Sequence, residues 1–333
     1  MDGMRQDHRP AVTIEHVARA AGVSRATVSR VLTGSGPFSA DAGQRVRAAA
    51  ERLGYTADPV ARALVHGRGT RLVVAVTSAS PTDLVDCQYV SRVVGSTAQR
   101  CAGEGLGVAL QWLPLGAPEP ALEALARDRS VAGVVLVDTT RRVLAAVPPR
   151  LAGRVVSIGA GSSAVPLVDV DTGAATTALT AHLLRSGRRR IAMLAGPPWL
   201  PCADRPVAAY RAAVHAAGLP ERVLAGDFTT ESGRLGAAEA LRRWPDTDAL
   251  YAICDETAFG AIQAVQALGR RVPDDVAVTG FDDLPLAAFS GPALTTATHP
   301  VEQIAARAAA TLLDRDRTPV TLFPSELVVR QSA

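Results

Sequence analysis

From Arg71 onward, short β-branched runs alternate with Ala-rich stretches of helical period, and few folds accept that pattern. Strands are expected at 72–76, 107–113, 133–137, 155–158, 168–170, 190–194, 249–253, 276–279 and 326–330. Amphipathic helical stretches lie between them, at 84–102, 119–129, 174–186, 205–217, 231–243, 256–269 and 300–314. Strands that alternate with helices form parallel sheets covered on both faces. So many strands predict two similar α/β lobes with a cleft between them.

The N-terminal part has a different pattern. Thr13 can cap a first helix that buries Val17, Ala18 and Ala21, and Gly22 stands where a tight turn needs positive φ. Ser24 then caps a second helix, whose Val28, Val31 and Leu32 face the first at spacings of three and four. Its other face carries Arg25, Ala26, Thr27, Ser29 and Arg30, residues that suit base edges and phosphates. A third helix is expected over 40–53, capped by Ser39, with Val46, Ala49, Ala50 and Leu53 inward. This is an all-α helix-turn-helix head over 1–56. Residues 57–69 follow as a short hinge helix and linker, with Asp58 as N-cap and Pro59 at the first helical position. Two turns are too few to be stable alone in water, so the hinge folds only when docked. The core occupies 70–333.

Charge follows the same division. Residues 1–70 hold ten arginines against six acids, a net of +4, whereas 71–333 hold 25 against 26. A positive field on the small head suits a polyanionic partner, double-stranded DNA. The chain has no lysine, which excludes a phosphate-loop lysine, a Schiff base and a Ser-x-x-Lys nucleophile. Cys87, Cys101, Cys202 and Cys254 form no Cys-x-x-Cys pair and read as reduced thiols. The six histidines lack metal-ligand spacing. No apolar run has the length of a membrane span, and 1–12 carries no export-signal core, so a cytoplasmic protein is expected. No catalytic residue, cofactor or metal is assigned. Apart from a DNA-binding protein, the fold also admits a solute-binding sensor or transport component, an alternative that the basic head argues against.

In the head, the blocks Val17-Ala18-Arg19-Ala20-Ala21-Gly22-Val23-Ser24 and Thr27-Val28-Ser29-Arg30-Val31-Leu32 resemble the lactose-repressor (LacI/GalR) family of bacterial transcription regulators. Ala61-Arg62-Ala63-Leu64 is similar to that family's hinge helix. Arg271-Val272-Pro273-Asp274-Asp275, Gly280-Phe281-Asp282-Asp283 and Leu327-Val328-Val329-Arg330 continue the likeness in family order. The resemblance implies a homodimeric repressor on a pseudo-palindromic operator. Its core would be two Rossmann-like lobes resembling periplasmic binding proteins, with a small, sugar-like effector between them.

Carried over residue by residue, the resemblance implies DNA contacts from Thr13, Ser24, Arg25, Ala26, Thr27, Ser29, Arg30, Ala61, Arg62 and Leu64. Arg25 is the expected base reader and Leu64 the expected minor-groove wedge. In the cleft it implies Asp255 and Asp282, with His299 and Arg205 at or beside family positions; Trp199 is a further candidate from its own chemistry, as a stacking residue or as plain packing. For Asp255, ligand contact and helix cap stand equal; Trp199 is expected at the cleft rim. The chain departs from the family at several points. Cys254 replaces an asparagine, Gly159 an acid, His299 a glutamine, and Pro206 the effector-binding arginine, with Arg205 one place off. Each swap removes a group that would hold sugar hydroxyls, which argues against a common hexose. In the head, Asp58 replaces an asparagine and Asp41-Ala42-Gly43 replaces Glu-Thr-Arg.

Overall fold

The structure is a computed structural model that describes residues 12–34, 36–55, 69–84 and 87–333. The chain divides into two compact units, Met1–Thr70 and Arg71–Ala333. Among the described residues, the first holds three helices: α1 (Ile14–Ala21), α2 (Arg25–Thr33) and α3 (Ala40–Leu53). Val17, Ala18 and Ala21 of α1, Val28 and Val31 of α2, and Val46, Ala49 and Ala50 of α3 share one buried cluster. The sequence spacing put these same residues inward. Ser24 Oγ accepts from the Thr27 N–H at 3.1 Å and Ser39 Oγ from the Ala42 N–H at 3.2 Å. Each satisfies a donor that the first helical turn leaves over. Thr13 holds the cap position of α1, and its backbone N–H donates to His16 Nδ1 at 3.2 Å. The turn between α1 and α2 passes through Gly22 at φ 63°, where a β-carbon would be strained. Gly43 has a packing role: a β-carbon there would stand 3.0 Å from the Phe38 ring. The expected hinge residues Ala61, Arg62 and Leu64 lie outside the described residues.

The second unit opens with β1 (Arg71–Ser78), α4 (Gln88–Ala102), β2 (Gly107–Pro114), α5 (Glu119–Arg127), β3 (Val131–Val137) and α6 (Arg141–Ala145). β4 (Val155–Ile158) and β5 (Leu167–Val170) follow. The chain then builds a second sheet with α7 (Thr172–Arg185), β6 (Ile191–Leu194), α8 (Asp204–Ala216), β7 (Val223–Leu224), α9 (Thr230–Arg243), β8 (Ala249–Ala252), α10 (Asp255–Ala267) and β9 (Ala277–Thr279). It crosses back through β10 (Thr296–Ala297) to α11 (Val301–Leu313) and β11 (Val320–Phe323), and ends at β12 (Leu327–Val328).

β11 pairs parallel with β5 at the edge of a six-stranded sheet ordered β11-β5-β4-β3-β1-β2. The other lobe is a parallel four-stranded sheet, β7-β6-β8-β9. β10 and β12 pair antiparallel. The chain therefore passes between the lobes three times: after β5, after β10 and after β11. β1 is buried from Leu72 through Ser78 without alternation, because helices cover both its faces. α11 belongs to the first lobe although it comes late in the chain: its Ala309 packs with Leu72 of β1 and Cys101 of α4. In the second lobe α9 and α10 cover one face, joining Ala237, Leu241, Ala261 and Val265 to Leu250 and Val278. Leu179 and Leu183 of α7, with Tyr210 and Val214 of α8, pack together with Met193 and Tyr251.

All nine expected strands appear, most within a residue or two of their bounds. β7, β10 and β11 were not anticipated. The first two are two residues long, and β11 lies on a sheet edge with Val320 and Leu322 exposed, so none of the three makes a continuous buried apolar run.

Candidate ligand cleft and DNA-binding face

In open parallel sheets, ligands lie beyond the carboxyl ends of the strands. Here a cavity of about 180 Å³ lies there, between the two lobes. Asp138, Gly159 and Val170 bring the ends of β3, β4 and β5 to it; Ile253 and Cys254 bring the end of β8; Phe281 and Asp282 follow β9. α4 contributes Tyr89 and Arg92.

Of the five effector residues expected from the sequence, Asp282 and His299 line this cavity together. Asp282 adopts φ 119°, an unusual conformation for a side-chain-bearing residue, and its N–H donates to Ala297 O at 2.9 Å. That turns its carboxylate towards His299, whose Nδ1 lies 2.8 Å from Asp282 Oδ1. The imidazole stacks against Tyr89 at 5.5 Å between ring centroids and lies 5.3 Å from Phe281.

The other three are placed differently. Asp255 does not line the cavity and is fully buried. Its carboxylate accepts from Thr296 Oγ1 at 2.6 Å and from the Leu284 N–H at 2.8 Å, tying α10 to β10 and to the loop after β9. The cap position of α10 is held by Cys254, not by Asp255. Burial pushes its carboxyl up to about 7. Arg205 does not reach the cavity either; its guanidinium bonds to the buried carboxylate of Asp169 and to Gly159 O, both on the wall. Trp199 stands outside the cavity, in a separate shallow depression beside Arg141 and Asp204.

The sequence reading missed Asp138, Asp169, Tyr89, Glu256, Cys87 and Cys202, all on the cavity wall. Asp138 follows β3 directly, so the strand-end rule that picked out Asp255 would have found it. Burial, reinforced by the neighbouring Asp169 charge, raises Asp138 to about 7. Burial also raises Glu256, with Asp282 adding repulsion. The Cys87, Cys202 and Cys254 thiols are pushed up by burial first of all, which keeps them protonated and weakly reactive. Among the described residues, no group of three or more His, Cys, Asp or Glu is arranged to hold a metal ion. None of the described helices is long and apolar enough to cross a membrane.

In the head, Arg25 and Ala26 open α2 on its exposed side. Arg25 Nη1 lies 2.7 Å from Glu15 Oε1, with both side chains more than half exposed. A pair so open to water contributes about 0–1 kcal/mol, so a guanine edge or phosphate can displace it. Arg30 is engaged within the head: Nε donates to Ala26 O at 3.3 Å and Nη1 to Pro37 O at 3.4 Å. Thr27 Oγ1 and Ser24 Oγ lie 2.9 Å apart. Ser29 is half-buried, and Thr13 and Ser24 are exposed at the helix starts.

Residues 13–58 match the bacterial regulatory proteins of the lacI family, and residues 180–333 match the periplasmic binding protein-like domain. The HTH-type transcriptional regulator CelR of Thermobifida fusca is 34% identical, across 99% of this chain and 100% of its own. The chain belongs to the LacI family of bacterial regulatory proteins. This LacI-family protein is a DNA-binding transcriptional regulator, not an enzyme. The transport alternative is not favoured, since the head and the core match regulators together. Among solved structures, a CelR–cellobiose complex is 30% identical with a TM-score of 0.71, covering 97% of the LacI-family chain and 100% of its own. A lac repressor dimer bound to operator and the anti-inducer ONPF has a TM-score of 0.83 at 24% identity, covering 96% of the chain and 98% of its own, and shows the same fold.

Proposed function

We propose that this regulator represses transcription in the cytoplasm as a homodimer on a pseudo-palindromic operator, and that a small molecule in the inter-lobe cleft sets its operator affinity. The observation that carries the reading is one chain holding both a capped recognition helix with Arg25 and Ala26 outward and a cavity at the carboxyl ends of two sheets. Two heads would read half-sites about one helical turn apart. Leu64 and its twin would wedge into the minor groove between them while Arg62 meets phosphate and Ala61 lies against the groove. The ligand in the CelR complex, cellobiose, supports a cleft effector for this chain as well. Reciprocity follows: whatever factor the effector takes from operator affinity, operator takes from effector affinity.

The test is a gel-shift titration of the full chain on DNA upstream of its own and neighbouring coding sequences, repeated with a metabolite panel. Specific retardation that one metabolite alters is expected. Binding without sequence preference would refute the reading. Leu64→Ala should weaken specific binding and reduce the DNA bend; an unchanged bend would remove the wedge.

A further inference from the structure

We propose that the cleft selects a compact organic cation, a protonated amine on an apolar body, with Asp138 as the group that receives its charge. This rests on the reading of the cleft as an effector site and specifies the chemistry of its ligand.

The charges on the wall do not balance. Four carboxylates line the cavity: Asp138, Asp169, Glu256 and Asp282. Two have partners, Asp169 with Arg205 and Asp282 with His299. Asp138 and Glu256 have no hydrogen bond or ion pair to any described residue. Arg92, the arginine on the wall, is already spent. Its guanidinium grips Glu302 through two bonds of 2.7 and 2.9 Å.

An entering phosphate or carboxylate would therefore meet two unpaired carboxyl groups and no unpaired arginine on the wall. A neutral polyol would bring donors but no charge. An ammonium or guanidinium group brings both, and charge-assisted bonds to a carboxylate are about twice as strong as neutral ones. Burial pushes both carboxyls up, with Asp169 and Asp282 adding repulsion, and a bound cation would draw them back to the charged form.

Two further polar atoms on the wall, Thr172 Oγ1 and His299 Nε2, are buried without a partner among the described residues. Buried polar groups are rarely left so, and a ligand bearing additional polar atoms would satisfy them. Elsewhere the wall is apolar and aromatic, with Tyr89, Phe228, Phe281 and Leu284. Aromatic faces also attract a cation held close to them.

The experiment uses two isosteric series on the full chain: tyramine, tyrosol and 4-hydroxyphenylacetate, and cyclohexylmethylamine, cyclohexylmethanol and cyclohexanecarboxylate. Calorimetric titration and thermal melting are read for each, with cellobiose as a neutral sugar control. In at least one series the amine should bind and raise the melting temperature, the alcohol should bind more weakly, and the carboxylate should not bind. Asp138→Asn should weaken the amine by about tenfold or more while leaving the alcohol unchanged. The proposal is overturned if neither series prefers its amine, if cellobiose binds tighter than every amine, or if Asp138→Asn leaves amine affinity intact. A gel shift on the same preparation separates the two readings. Specific DNA binding without amine preference sinks the ligand class alone, and amine binding without specific DNA binding sinks the regulator.

Discussion

Replacing Gly260 by alanine should destabilise the core, although alanine is the better helix former. A β-carbon on Gly260 of α10 would stand 1.8 Å from Thr230 O of α9 and 2.7 Å from the Arg234 nitrogen. The contact is reciprocal: one on Gly233 would stand 2.0 Å from Thr257 O. Both obstacles are backbone, so no side chain can swing away. Ordinary contact begins near 3.4 Å, which requires α9 and α10 to part by about 1.6 Å at this point. Such a shift loosens Ala237, Ala240 and Leu241 from Ala258, Ala261 and Ile262. Overpacking costs about 1–3 kcal/mol and sometimes more. Better helix propensity returns only about 1 kcal/mol. A backbone clash belongs at the upper end, leaving a net loss of about 2 kcal/mol. For a unit of this size that lowers the melting temperature by about 4–8 °C. Gly95 of α4 is the control: it is exposed, nothing lies within 4 Å of its β-carbon position, and Gly95→Ala should raise the melting temperature by about 2–4 °C. All three tryptophans, Trp112, Trp199 and Trp244, belong to the core unit, so their fluorescence follows this transition. A Gly260→Ala protein that melts at or above the unmodified temperature would show that the crossing does not depend on bare backbone.

Three further outcomes are expected. Ser24→Ala removes the cap of α2 and should cost the head about 1 kcal/mol, read by urea denaturation of its helical circular dichroism; an unchanged midpoint would mean the bond to the Thr27 N–H adds nothing. Arg25→Ala should cost about 1–3 kcal/mol of operator affinity and relax preference at one base position per half-site, and an identical profile on randomised operators would reject Arg25 as a base reader. Asp255, held at about 7 in the folded core, binds a proton there that the unfolded chain releases near pH 4. Its contribution to stability is therefore present below about pH 4 and lost as pH rises through about 7. Melting temperature should fall from pH 5 to pH 8, and the fall should be shallower in Asp255→Asn; parallel curves would show that Asp255 stays ionised.

The head and the two-lobe core were legible because their residues follow local rules: Val17, Val28 and Val46 by helical spacing, Ser24 and Ser39 by cap chemistry, β1 by its unbroken apolar run. The cleft was legible only in part. Asp282 and His299 follow from position along the chain, but Asp255 turns inward to Thr296, a partner 41 residues away that no local pattern announces. Arg205 is likewise held by Asp169, and Trp199 faces a different depression, because which way a loop side chain points depends on the packed neighbours. Asp138 was within reach of the strand-end rule, but the rule was applied only to the strands of the second lobe, and the wall is shared by both.

The threefold passage of the chain between the lobes means that neither lobe is a continuous piece of sequence. Stopping synthesis just after Leu313 would strip β11 from the edge strand β5 and take away β12, the partner of β10, so both halves would be damaged at once. Nascent protein can therefore complete its first lobe only once β11 has emerged, and a break after Leu313 should behave like a folding lesion.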